Sequence, residues 1–183
     1  MVIEPHKRSQ VMPLPVVLIS TIDKKGVRNL APWSCVMPIL RPLDEIAIAS
    51  WIKRDTLNNI RETEEFVINI PTADMIEAVK ISSQNFPPDV DEFEKAGLKS
   101  HISKKVNAPG VEDCLAWAEC KLIEEISRKN YSLIISKVLH LEENDSYFNN
   151  KGEFDYEKAK PLLIYKMRFS YPVNVSNVMN LSI

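Results

Sequence analysis

Two segments concentrate side chains able to hold a ligand: Asn29-Leu30-Ala31-Pro32-Trp33-Ser34-Cys35 and, further on, Ser50-Trp51-Ile52-Lys53-Arg54-Asp55-Thr56-Leu57-Asn58-Asn59. In the second, two cations run directly into Asp-Thr at a helix start. Lys53, Arg54, the Thr56 hydroxyl and free backbone N–H groups then gather about one point, an arrangement that holds a phosphate. Asn59, one turn into that helix, adds a side-chain donor. The same residues also read as Asp55 capping the helix with Lys53 and Arg54 solvated. In the first segment, Trp33 beside Ser34 and Cys35 offers an aromatic face, a hydroxyl and backbone polar groups to a flat heteroaromatic ring. Taken alone, Trp33 reads equally well as core.

Read together, the two segments bracket a ligand with a ring at one end and a phosphate at the other, and FMN has that form. Other candidates carry less. Cys35, Cys114 and Cys120 are odd in number and widely spaced, which supports neither a disulfide framework nor a zinc site. Cys35 is assigned contact with the ring only, because an isolated strand cysteine is usually a small hydrophobe. His6, His101 and His140 lack metal-ligand spacing, so no metal is expected. Tyr147, Phe148, Phe154 and Tyr156 read as a surface excursion pinned by its own aromatics.

The elements that must position these residues follow from period and breakers. Val16–Ile22 is a β-branched run closed by Asp23-Lys24-Lys25-Gly26, a strand followed by a hairpin turn, with Val27–Met37 as the returning strand. Pro32 places that strand at an edge or on a bulge. Glu45–Trp51 alternates as a third strand. Asp55–Glu64 shifts to helical spacing, with Asp55 or Thr56 as N-cap, and Phe66–Ile70 is again strand-like. Ala73–Ser83 and Asp91–Ala96 are further helices, the latter stopped by Gly97. Leu115–Ile126, Tyr131–Leu141 and Leu162–Phe169 complete the strands. Six or more strands with two or three short helices inserted early fit a β-barrel better than an alternating α/β sheet.

The chain has 183 residues, with 23 Lys+Arg against 25 Asp+Glu and a formal charge of −2. A near-neutral surface without a basic cluster argues against nucleic acid or an anionic membrane as partner. The first ten residues lack the apolar core of a secretory signal, and no apolar run approaches the ~20 residues of a membrane span. A single domain over residues 1–183 in a reducing cytoplasm is expected.

The ordered set Pro13-Leu-Pro15-Val-Val-Leu-Ile-Ser-Thr21, Gly26, Asn29-Leu-Ala-Pro-Trp-Ser34, Arg54-Asp-Thr56-Leu-Asn-Asn59-Ile60, Glu65-Phe66-Val-Ile-Asn69-Ile-Pro71 and Asp91-Glu-Phe-Glu-Lys-Ala-Gly97-Leu98 resembles the flavin reductase-like family of FMN-binding split-barrel proteins. The resemblance implies a mainly β, Greek-key split β-barrel and a homodimer with FMN near the dimer interface. It places the phosphate on Lys53 through Asn59 and the isoalloxazine along Trp33, Ser34 and Cys35, with Ser50 and Trp51 nearby. Ser82 and Ser83 match a loop that approaches the flavin in relatives. Residues 1–12 and 171–183 are expected to be arms reaching the partner subunit.

The implied activity is hydride transfer from NADH or NADPH to bound FMN, and onward to free flavin, a ferric complex or a partner protein. The cofactor carries the chemistry, so no catalytic acid or base is required. Backbone N–H groups of Ser34-Cys35 and Ser50–Lys53 are the expected donors to the flavin edge. Many relatives place a His in the turn before the strand at Ser132–Val138. Here the turn is Arg128-Lys129-Asn130, which admits a second reading, a flavoredoxin-like electron carrier independent of pyridine nucleotide.

Overall fold

The computed structural model describes residues 2, 4–40, 44–166 and 168–170. The expected C-terminal arm, residues 171–183, lies outside these. Twelve strands and four α-helices are present among the described residues. Seven strands form one antiparallel sheet: β2 (Val17–Ile22), β3 (Arg28–Trp33), β4 (Val36–Pro38), β5 (Glu45–Trp51), β6 (Glu65–Ile70), β9 (Ala116–Ser127) and β10 (Tyr131–Glu143). Their spatial order is β3-β2-β6-β9-β10-β5-β4. β1 (Leu14–Pro15) joins β11 (Leu163–Tyr165) and β12 (Arg168–Ser170), while β7 (Ser100–His101) pairs with β8 (Gly110–Val111).

The expected strand Val27–Met37 is two strands. β3 and β4 lie at opposite edges of the seven-stranded sheet, yet only Ser34 and Cys35 separate them. Flat, the two edges would stand about 29 Å apart at ~4.8 Å per strand. Three Cα–Cα steps span at most about 11 Å. The sheet therefore curls into a barrel open along the β3–β4 seam. Pro32 sits on β3, an edge strand paired only with β2, as a residue without an N–H requires. The hairpin turn is held by Asp23, whose carboxylate accepts from Lys25 N (2.9 Å) and Val27 N (2.8 Å), with Gly26 at φ +88°.

One hydrophobic cluster collects side chains from all seven strands, so it marks the concave face: Val17, Ile19, Trp33, Val36, Ile48, Phe66, Ile68, Cys120 and Ile134. Leu57 and Ile60 of α1 (Asp55–Thr63) enter the same cluster, so α1 plugs the barrel. A second cluster forms on the convex side of β2, β3 and β6 from Leu18, Leu30 and Val67. It is covered by Val79 of α2 (Ile76–Ser82), Phe93 of α3 (Glu92–Ala96) and Trp117. β2 is thus buried on both faces and reads as a continuous apolar run rather than an alternation.

Between the strands, Asn69 is fully buried and fully used. Its amide donates to Leu18 O (2.9 Å) and Ser20 Oγ (3.0 Å), and its Oδ1 accepts from Val111 N (2.7 Å). The helix expected over Ala73–Ser83 begins with a 3₁₀ turn at Ala73–Met75, and α2 occupies Ile76–Ser82. The expected strand Leu162–Phe169 is interrupted, with Lys166 at φ 53° between β11 and β12. A short α4 (Tyr156–Ala159) closes the 144–160 excursion, where Phe154 meets Phe148 (5.5 Å) and Tyr156 (4.9 Å) edge to face.

Replacing Asn69 by Ala leaves the Val111 N–H buried without an acceptor, at a cost of about 1–3 kcal/mol. Urea unfolding of N69A should show that loss with an unchanged m-value.

Candidate functional site

The barrel seam holds a cavity of about 320 Å³. One wall is the free edge of β3 from Asn29 to Trp33, continued by Ser34 and Cys35. Opposite stand Ala49 and Trp51 of β5. The start of α1 (Arg54, Asp55, Thr56), the end of α2 with the residues after it (Ser82–Phe86), and Glu92 of α3 complete the lining. The crossover that closes the barrel is therefore also the floor of the site.

Of the residues singled out from sequence, Asn29, Trp33, Ser34, Cys35, Trp51, Arg54, Thr56, Ser82 and Ser83 meet at this cavity. Ser50, Ile52, Lys53 and Asn59 are not among its lining. Ser50 is buried and donates to Trp51 O (2.9 Å), and the Ile52 N–H is committed to Asn130 O (3.4 Å). Lys53 is exposed, and Asn59 turns away to donate to Thr21 Oγ1 (3.0 Å).

The expected capping also differs. The N-cap is Arg54, which makes no side-chain cap hydrogen bond, and Asp55 is the first helical residue. Thr56 is only 2% exposed, and its hydroxyl donates to Asn29 Oδ1 (2.8 Å). The amino terminus of α1 therefore presents N–H groups that no side chain caps, beside the Arg54 guanidinium. This donor set fits a phosphate. Ser82 and Ser83 spend their own protons on Val79 O (3.1 Å) and Lys80 O (2.7 Å). In this arrangement they line the cavity without adding a donor to the anion end. Trp33 packs on the concave core while its buried Nε1 has no hydrogen-bond partner among the described residues. Trp51, 65% exposed, stands across the cavity as a second aromatic surface.

Glu92 was not anticipated. It lies only 7% exposed on α3, whose N-cap Asp91 accepts from Phe93 N and Glu94 N. Glu92 Oε2 accepts from Asn29 Nδ2 (2.6 Å) and from Leu30 N (2.5 Å), an N–H left free by the edge position of β3. Burial pushes the carboxyl up to about 7. The Leu30 hydrogen bond opposes that shift, and the nearby charges of Asp55 and Asp91 add to it. A charged residue on the buried face of a well-capped helix was the available sequence signal. Gln84–Phe86, which follow α2, also reach the site.

Cys35 is exposed at the cavity, whereas Cys114 and Cys120 are buried, with burial pushing both thiols up. Alkylation of the native protein should therefore modify one thiol, Cys35, quickly, with the other two reacting only after unfolding. Peptide mapping checks this.

The flavin reductase like domain matches residues 8–171. The chain belongs to the flavin reductase-like family, and its curled sheet is the family's split barrel. A protein of Methanothermobacter thermautotrophicus is 51% identical over 169 residues, covering 90% of this chain and 80% of its own. Among solved structures, flavoredoxin of Desulfovibrio vulgaris (Miyazaki F) superposes with a TM-score of 0.85 at 20% identity, covering all of this chain and 97% of its own. Nitrilotriacetate monooxygenase component B from Bacillus cereus gives 0.82 at 23%, covering 99% and 98%. The NADH:FAD oxidoreductase SgcE6 of Streptomyces globisporus gives 0.76 at 13%, covering 93% and 96%. At these identities the structural likeness establishes the fold. Family membership supports a flavin-linked oxidoreductase.

Proposed function

We propose that the chain is an FMN-dependent oxidoreductase that takes electrons from NADH or NADPH and delivers them to a small flavin or ferric acceptor, or to a redox partner protein. The observation that carries the reading is the uncapped amino terminus of α1, open to the cavity beside Arg54 and Thr56. It supplies the anion end of the site, while Trp33, Trp51 and the Ser34-Cys35 crossover supply a flat wall for the ring.

Bound FMN would supply acceptance of a hydride and its release as two electrons and a proton. The protein's part is position. The barrel edge would hold the ring, α1 and Arg54 would hold the phosphate, and the aromatic walls would shield the site from water. The Arg128–Asn130 turn, closed by Arg128 N–H to Tyr131 O (2.8 Å), offers no His to a nicotinamide. That feature favours a second reading, an FMN electron carrier of the flavoredoxin type. Anaerobic addition of NADH or NADPH to the FMN-loaded protein separates the two: bleaching of the flavin spectrum supports the reductase, and bleaching only by dithionite supports the carrier. Arg54→Ala and Thr56→Ala should each weaken FMN binding about tenfold or more. Unchanged affinity in both would remove the phosphate assignment.

A homodimer completes this reading. The convex face of β4, β5 and β10 carries Met37, Ala47, Ala49, Trp51, Tyr131, Leu133 and Ile135, in cross-strand register Tyr131↔Trp51, Leu133↔Ala49 and Ile135↔Ala47. On this face Met37, Trp51 and Tyr131 are 60%, 65% and 47% exposed. Ala49 and Trp51 belong to this face and to the cavity alike. A second copy seated here would cover the apolar face and close the site. Light scattering should give twice the chain mass of 20.9 kDa, and Leu133→Glu should reduce it to one.

A further inference from the structure

The cavity wall is electrostatically mismatched to the anion end it offers. Among the described lining residues Arg54 is the one cation, and it is joined by two carboxylates, Asp55 and Glu92. Glu92 is tied to the start of α1 through Asn29, which donates to Glu92 Oε2 (2.6 Å) and accepts from Thr56 Oγ1 (2.8 Å). Among the described residues no cation pairs with it. Arg28 on β3 is held by Asp91 (2.6 Å) and reaches Glu94 (3.8 Å). On α2, the other element packed on α3, Lys80 is paired with Glu77 (2.6 Å). Among the described residues Glu92 Oε1 accepts no hydrogen bond, so it can take a proton without losing either donor at Oε2.

We propose that Glu92 is the proton site linked to ligand binding, so that a phosphate-bearing ligand enters the cavity together with one solvent proton that comes to rest on Glu92 Oε1. With Glu92 ionised, the lining carries one positive and two negative charges, and a phosphate dianion meets net repulsion. With Glu92 protonated, the lining is neutral, and the helix terminus and Arg54 are opposed by Asp55 alone. Its carboxyl already sits near neutrality, at about 7. An adjacent dianion favours the neutral acid further, so the ligand raises proton affinity and, by linkage, the proton raises ligand affinity. Affinity should therefore fall as pH rises above about 7, a window in which the second ionisation of the phosphate, near 6, is largely complete.

This inference rests on the FMN reading, and the experiment keeps the two apart. FMN is titrated calorimetrically into the ligand-free full chain at about pH 7.5 in two buffers of different ionisation enthalpy, which reads the protons taken up per ligand bound. The expected result is uptake of a substantial fraction of one proton with FMN, and much less with riboflavin, which lacks the phosphate. Glu92→Gln should bring the FMN value close to zero. On the wild type alone, FMN affinity should drop several-fold between about pH 7 and 9. FMN binding without proton uptake, a flat wild-type pH profile, or full uptake retained in E92Q each overturns the role of Glu92. No FMN binding at any pH overturns the cofactor reading itself.

Discussion

Two residues between β3 and β4 set the shape of the molecule. Ser34 and Cys35 must carry the chain from one edge of a seven-stranded sheet to the other, and so short a link is possible only if the sheet curls until its edges nearly meet. The curl creates a concave face that side chains from every strand can fill. It also leaves a seam, because β3 and β4 are joined covalently rather than by a ladder. The cavity is that seam, and its walls are the unpaired edge and the crossover.

The other elements follow from the demands of a closed but incomplete barrel. α1 fills the interior with Leu57 and Ile60, and its amino terminus emerges where the seam is open. α2 and α3 cover the convex face of β2 and β3 and bring Ser82, Ser83 and Glu92 to the rim. The free N–H of Leu30, a liability of any edge strand, is satisfied by Glu92. The end of β9 fixes α1, where Arg61 holds Glu125 in a two-pronged pair and keeps that carboxyl near 2. Glu119 accepts from the backbone of Lys104, Lys105 and Val106 and fastens the long connection into β9. Buried polar groups in this fold act chiefly as fasteners between segments remote in sequence.

The site gathers opposing charges. A helix terminus without a side-chain cap and an arginine attract an anion, while Asp55 and Glu92 repel one. Burial without a counter-cation makes Glu92 the group most easily relieved, by protonation, and its hydrogen bonds to Asn29 and Leu30 hold it where its charge is felt.

Much of this was legible in the residues themselves. The strand starting near Val17, the Asp23–Gly26 turn, β5, α1, α3 with its Gly97 stop and the long strands β9 and β10 follow from period, turn chemistry and capping, all of which act within a few residues. Pro32 announced an edge or a bulge because a residue without an N–H does not fit a central ladder, and the sheet order decides for the edge. The grouping of Trp33, Ser34, Arg54 and Thr56 was visible as a pattern of types. What tertiary structure alone decided was direction and pairing. Val27–Met37 looks like one strand, and only the sheet order shows that it changes edges halfway. Asn59 and Lys53 have the right chemistry for the site, yet the rotation of α1 turns one toward Thr21 and leaves the other in solvent. Glu92 becomes part of the site only because α3 packs across β3. Local sequence sets a residue's conformation through short-range sterics and hydrogen bonds, whereas its neighbours in space are set by closure of the whole barrel.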